Sequence, residues 1–118
     1  MRIVNRKEFL QLPSGTLFCQ CEQKWVFEDL HVKFGSLIHD DRNDDFVSMS
    51  FTSVEANDSD EWLNRLEDMA DNGTSYPLDL DAAGRDGQFM RDAWFMVFER
   101  SDVVKLRDFL TSVLEGDA

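Results

Sequence analysis

The sequence predicts an α+β domain: a mostly antiparallel sheet of four or five strands with two amphipathic helices and one short N-terminal helix packed on one face. Three observations predict it. Strand-period runs crowd into the first half of the chain, two apolar stripes at helical spacing follow, and a continuous apolar run, Trp94 to Phe98, lies between the two stripes. Strands followed by helix, strand and helix is the order of an α+β chain, not of alternating βαβ units. At 118 residues the chain is the size of a single domain, 1–118. Its 42% apolar content, with ten Phe and three Trp, is enough to build a core.

The elements follow in order. Arg2 to Val4 reads as a short strand. Asn5 then has the character of an N-cap, with Glu8 three residues later completing a capping-box pattern. The helix it opens is brief, because Pro13 biases Leu12 away from the α region. Thr16 to Cys21 reads as a strand with Leu17, Cys19 and Cys21 on one face. A short apolar run, Trp25 to Phe27, precedes Leu30 to Phe34, where Leu30, Val32 and Phe34 alternate with His31 and Lys33. Gly35 ends or bulges this strand, and 36–39 can continue it. A charged loop leads to Phe46–Phe51, with Val47, Met49 and Phe51 expected on the core face.

Asp58 to Glu61 opens the clearest helix, with Trp62, Leu63, Leu66, Met69 and Ala70 on one stripe and Gly73 as its stop. The segment 79–87 reads as irregular. Trp94 to Phe98 reads as a central strand. Ser101 or Asp102 is expected to cap the last helix, whose Val103, Leu106, Phe109, Leu110, Val113 and Leu114 form a stripe expected to bury itself against the sheet.

The formal net charge is −12, and its distribution is uneven. Residues 1–39 carry a net of +1, residues 40–92 a net of −11, and residues 93–118 a net of −2. Such a field repels nucleic acid and anionic membranes and attracts basic proteins. The chain lacks an apolar run long enough for a membrane span and opens without the apolar region of a secretory signal, so a cytoplasmic protein with reduced thiols is expected.

Few residues point to catalysis. His31 and His39 stand in no recognisable nucleophile motif. Cys19 and Cys21, one residue apart, could join the two histidines around zinc, but zinc pairs are usually spaced by two to four residues. His39-Asp40 resembles the dipeptide of metal-dependent phosphohydrolases, which need further His and Asp ligands. Asp79, Asp81 and Asp86 lie in a Gly-rich string that departs from an EF-hand loop at Ala83 and Met90; accepting backbone hydrogen bonds in a turn explains them equally. No enzyme activity, cofactor or metal is expected.

The helix after Asp58 is different. On a wheel centred on Trp62, Asp60, Glu61, Glu67, Asp68 and Asp71 gather opposite the apolar stripe. Five carboxylates over about 16 Å of axis give one charge per roughly 3.3 Å, close to the ~3.4 Å spacing along one strand of duplex DNA. Acids near the N-terminus suit the helix dipole, whereas Glu67, Asp68 and Asp71 lie in later turns, where it opposes them. These five, with Asp40, Asp41, Asp44 and Asp45 in the loop, are the candidate partner-binding residues.

The opening Arg2-Ile3-Val4-Asn5-Arg6-Lys7-Glu8-Phe9-Leu10, with Leu12-Pro13 and Gly15-Thr16-Leu17-Phe18, resembles small proteins encoded by tailed bacteriophages. So does Gly84-Arg85-Asp86-Gly87. The resemblance implies a phage accessory protein acting in the host cytoplasm. Small acidic members of that group often block a host defence or nucleic-acid-handling protein, sometimes as DNA mimics. The expected function is therefore a non-enzymatic inhibitor of a basic host protein, anti-CRISPR-like in type. One alternative is an immunity-type or regulatory protein that binds through an apolar patch. The other is a small hydrolase or cation-binding protein using Asp79, Asp81 and Asp86.

Overall fold

The computed structural model describes residues 1–23, 25–37, 44–86 and 92–118. The chain begins with β1 (Arg2–Asn5), and Asn5 caps α1 (Arg6–Leu10) by accepting the Glu8 amide at 2.9 Å. The Glu8 carboxylate turns outward to Arg2, 2.9 Å away. Then come β2 (Leu17–Gln23), β3 (Val26–Leu37) and β4 (Asp45–Ser50). The two apolar runs expected as separate pieces form one twelve-residue strand, β3, bulged between Lys33 and Ser36 around Gly35. Asp58 caps α2 (Ser59–Asn72), and Gly73 ends it at φ 68°, a left-handed conformation that disfavours a side chain. A two-residue β5 (Gly84–Arg85) lies in the stretch expected to be irregular, followed by β6 (Trp94–Val97) and α3 (Arg100–Glu115).

The sheet has six strands in the order β1-β6-β2-β3-β4-β5, every neighbouring pair antiparallel. It is α+β as expected, with one strand more than expected, because β5 adds to the edge of β4. Direct cross-strand partners share a face. One face therefore carries Val4, Phe95, Val97, Phe18, His31, Lys33 and Ser48, and the other Ile3, Met96, Leu17, Cys19, Leu30, Val32 and Met49.

The enclosed core lies on the first face. Phe9 of α1 stacks on Phe95 at 4.0 Å between ring centres and meets Phe18 and Phe46 edge-on at 4.7 and 5.0 Å. Val4, Leu10, Ala93 and Val97 complete it. The alternation in β3 and β4 predicts a core on the other side of those strands, with all helices on one face. Instead α1 covers the face that carries His31 and Lys33, while α3 lies over the face that carries Leu17 and Leu30. Lys33 is buried, its ammonium donating to the carbonyls of Leu12 at 2.8 Å and Phe34 at 3.3 Å. A polar residue in strand alternation here marks a buried, satisfied amine rather than a solvent face.

The last helix departs most from expectation. Its cap is Glu99, and Asp102, three residues on, accepts the Glu99 amide at 2.9 Å and the chain's terminal ammonium at 2.9 Å. No residue of α3 is fully buried. Phe109, Leu110, Val113 and Leu114 are 59, 52, 50 and 89% exposed, so the stripe expected to close the core stands largely in solvent.

Candidate functional site

Helix α2 is formed by strong local signals, and none of its side chains is fully buried. Asp58 accepts the Glu61 amide at 2.8 Å, which fixes the first turn. The five acids then separate by environment. Glu61 is neutralised by Arg65 at 2.6 Å and also accepts from Asn57 at 3.1 Å. Asp68 accepts from the Tyr76 hydroxyl at 2.6 Å and from Asn72 at 2.7 Å. Those hydrogen bonds, led by Tyr76, hold its carboxyl below the usual carboxylate range and push the Tyr76 phenol up. It therefore stays charged while it pins the segment beyond Gly73 to the helix. Asp60, Glu67 and Asp71 are exposed and, among the described residues, have no basic partner.

Of the loop acids, Asp45 does not extend this surface as expected. Asp40 and Asp41 lie outside the described residues. Asp45, the first residue of β4, is fully buried and accepts from Arg85 Nε at 3.1 Å and from the Phe46 amide at 2.8 Å, with Arg6 3.8 Å away. A carboxylate so enclosed and paired offers no charge to a partner, because its field is consumed where it sits. Asp44 contributes its carbonyl to Arg6 at 3.3 Å.

The candidate metal-binding sets also come apart. Asp86 is bound to Arg6 at 3.1 Å, whereas Asp79 closes a local turn by accepting the Asp81 amide at 2.8 Å. Met90 lies outside the described residues, as does His39. His31 pairs across strands with Phe18 and Ser50, which puts its ring on the face opposite Cys19. Among the described residues no three His, Cys, Asp or Glu side chains are grouped to hold a metal ion. Burial pushes both thiols up, so they rest protonated and poorly nucleophilic. His31 Nδ1 lies 3.3 Å from Ser48 Oγ, but no described carboxylate is hydrogen-bonded to the imidazole.

The basic side chains are largely spent inside the molecule. Arg2, Arg6, Arg65, Arg85 and Arg107 are all in ion pairs, and Lys33 is buried. Lys7, Arg100 and Lys105 stay exposed, but exposed acids outnumber them, with Asp60, Glu67 and Asp71 together on α2. Beside Trp62, which is partly exposed, a hollow of about 470 Å³ is lined by Asp58 and Asp79, a setting that suits a cationic side chain.

Sequence reasoning named an apolar patch as an alternative but did not place it. A groove of about 570 Å³ runs between α3 and the sheet, lined by Leu17, Leu30, Phe51, Val103, Leu106 and Leu110 among others. At the β2–β3 turn Trp25, Val26 and Phe27 are exposed as well. That turn carried a readable signal, three consecutive apolar residues flanked by polar ones. The α3 stripe carried none, because an open and a buried stripe have the same periodicity. No family model, no curated protein and no solved structure matches the chain. Among the described residues no helix is long and apolar enough to cross a membrane.

Proposed function

We propose that this protein acts without catalysis, by binding a basic, nucleic-acid-handling protein and occupying the surface that nucleic acid uses there. One observation carries the reading. The described arginines are mostly consumed in internal ion pairs, while Asp60, Glu67 and Asp71 stay outward and unpaired on one helix and Asp68 stays ionised beside them. Four uncompensated charges over about 16 Å of helix give one per ~4 Å, still near the ~3.4 Å of a DNA strand. The resemblance to phage accessory proteins makes a host defence protein the class of partner. α3's exposed apolar residues favour a second contact of a different kind on the same partner.

The test uses Glu67→Gln together with Asp71→Asn, leaving Asp68 in its structural role. Basic proteins captured from a bacterial lysate on the immobilised protein are assayed against wild type and variant at two salt concentrations, with duplex DNA as competitor. Removing two rim charges should weaken binding by about 1 kcal/mol, roughly fivefold, mainly through slower association. The salt dependence should flatten. Equal affinity and equal salt dependence in the two proteins would refute the acidic-helix reading.

A further inference from the structure

Resting on that protein-binding reading, we propose that the groove between α3 and the sheet receives a cationic amphipathic helix of the partner. The groove walls are aliphatic and aromatic, with Leu17, Leu30 and Phe51 on the sheet and Val103, Leu106, Leu110 and Leu114 on α3. The α3 wall runs eleven residues from Val103 to Leu114, about 16 Å, which matches some three turns of a docked helix. At about 570 Å³ it has room for the several anchor side chains that a helix presents at i, i+3, i+4 and i+7. It opens to solvent where Leu110 and Leu114 stand exposed, so an occupant can enter from the side.

The charge around it decides the occupant's chemistry. Glu28 stands exposed two residues before Leu30, and Glu115 stands exposed next to Leu114, with Lys105 the exposed base on the same helix. The one guanidinium on the lining, Arg107, is paired to Asp108 at 3.0 Å. A second copy of this chain would bring its own net charge of −12 to the same surface. A helix with a leucine-rich face and a lysine-rich back fits both the apolar floor and the anionic rim, and the long-range field of the whole molecule steers it in.

The probe is a fluorescent peptide of about 18 residues, leucine and lysine only, patterned at helical spacing; a scrambled peptide and a leucine–glutamate analogue are the controls. Anisotropy is read with the full chain as wild type, Leu110→Asp, Leu114→Asp and Glu67→Gln/Asp71→Asn, with thermal melts and sedimentation on each. The patterned peptide should bind about tenfold tighter than the scrambled one, and each groove variant should erase that margin. Leu114→Asp should melt as wild type does, because the side chain it replaces is exposed. Equal binding of patterned and scrambled peptides overturns the inference. So does binding that both groove variants leave intact while the α2 variant weakens it, an outcome that spares the acidic-helix reading. A dimer abolished by Leu114→Asp and undisturbed by the peptide would give the groove to a second copy, which also overturns it. Loss confined to the groove variants supports the inference and counts against α2 as the contact.

Discussion

Phe9→Ala compared with Leu110→Ala tests where the stability of this fold resides. Phe9 is fully buried and its ring touches Phe18, Phe46 and Phe95 at centroid distances of 4.7, 5.0 and 4.0 Å. Truncating such a ring costs about 3–5 kcal/mol through lost transfer energy and the cavity left behind. Against a total stability of about 5–15 kcal/mol, that is a large share. With a urea slope of about 1.5 kcal/mol per M, the unfolding midpoint should fall by roughly 2–3 M. Leu110 is 52% exposed, so its truncation forfeits only part of the ~1.5–3 kcal/mol of a fully buried leucine and leaves no closed void; about 1 kcal/mol or less is expected. The assay is urea unfolding followed by tryptophan fluorescence and circular dichroism, with Phe9→Leu as an intermediate that must stay folded. If Leu110→Ala costs more than Phe9→Ala, the stabilising core belongs to α3, and the face sealed by α1 is not what holds the fold.

Two further predictions concern single titrating groups. Burial holds the Lys33 ammonium below the usual lysine range, so charging it costs the folded state in full below its folded pKa, and that cost fades as pH rises toward the ordinary lysine value of 10.5. Wild type should therefore gain stability relative to Lys33→Met as pH rises through the lowered folded pKa toward 10.5 in urea melts; parallel curves would show that the amine is not desolvated. Tyr76 is the only tyrosine, and its phenol is raised above 10.0 chiefly by its hydrogen bond to Asp68. Absorbance titration at about 295 nm should show its midpoint fall in Asp68→Asn. The Asp68 carboxyl is held low, so its contribution is present above the ordinary carboxylate range and lost as pH falls through its folded pKa; the wild-type advantage over Asp68→Asn should vanish in acid.

The elements legible in the sequence are those fixed by local chemistry. Asn5 and Asp58 cap their helices because a short polar side chain can reach an amide three residues on, and Gly73 stops α2 because it alone takes the left-handed turn without cost. Glu99 was hidden because Ser101 and Asp102 are stronger capping types; Asp102 serves the same turn from three residues inside it. β5 was hidden because a two-residue strand has no periodicity. The two-faced sheet was hidden for a deeper reason. Alternation identifies which residues share a face, but when both faces are covered it does not say which face is sealed, and the sealed one here contains Lys33.

The same limit governs the site. Glu61 with Arg65 and Asp68 with Asn72 are four residues apart on one helix, so their pairing was readable from spacing alone. Asp45 and Asp86 are claimed by arginines 40 and 80 residues away, and only the fold brings them together. A count of acids therefore overstates the surface at Asp45 and Asp86, where long-range pairs consume the charge. It holds at Glu67 and Asp71, where no base stands three or four residues away on the helix and no described base arrives from elsewhere. Asp60, Glu67 and Asp71 are exposed together on one face of α2, while other exposed acids such as Glu28, Glu55 and Glu115 are scattered over the rest of the described chain. That face of α2 is also the one whose later turns gain nothing from the helix dipole, so its charge is kept at some cost to the helix itself.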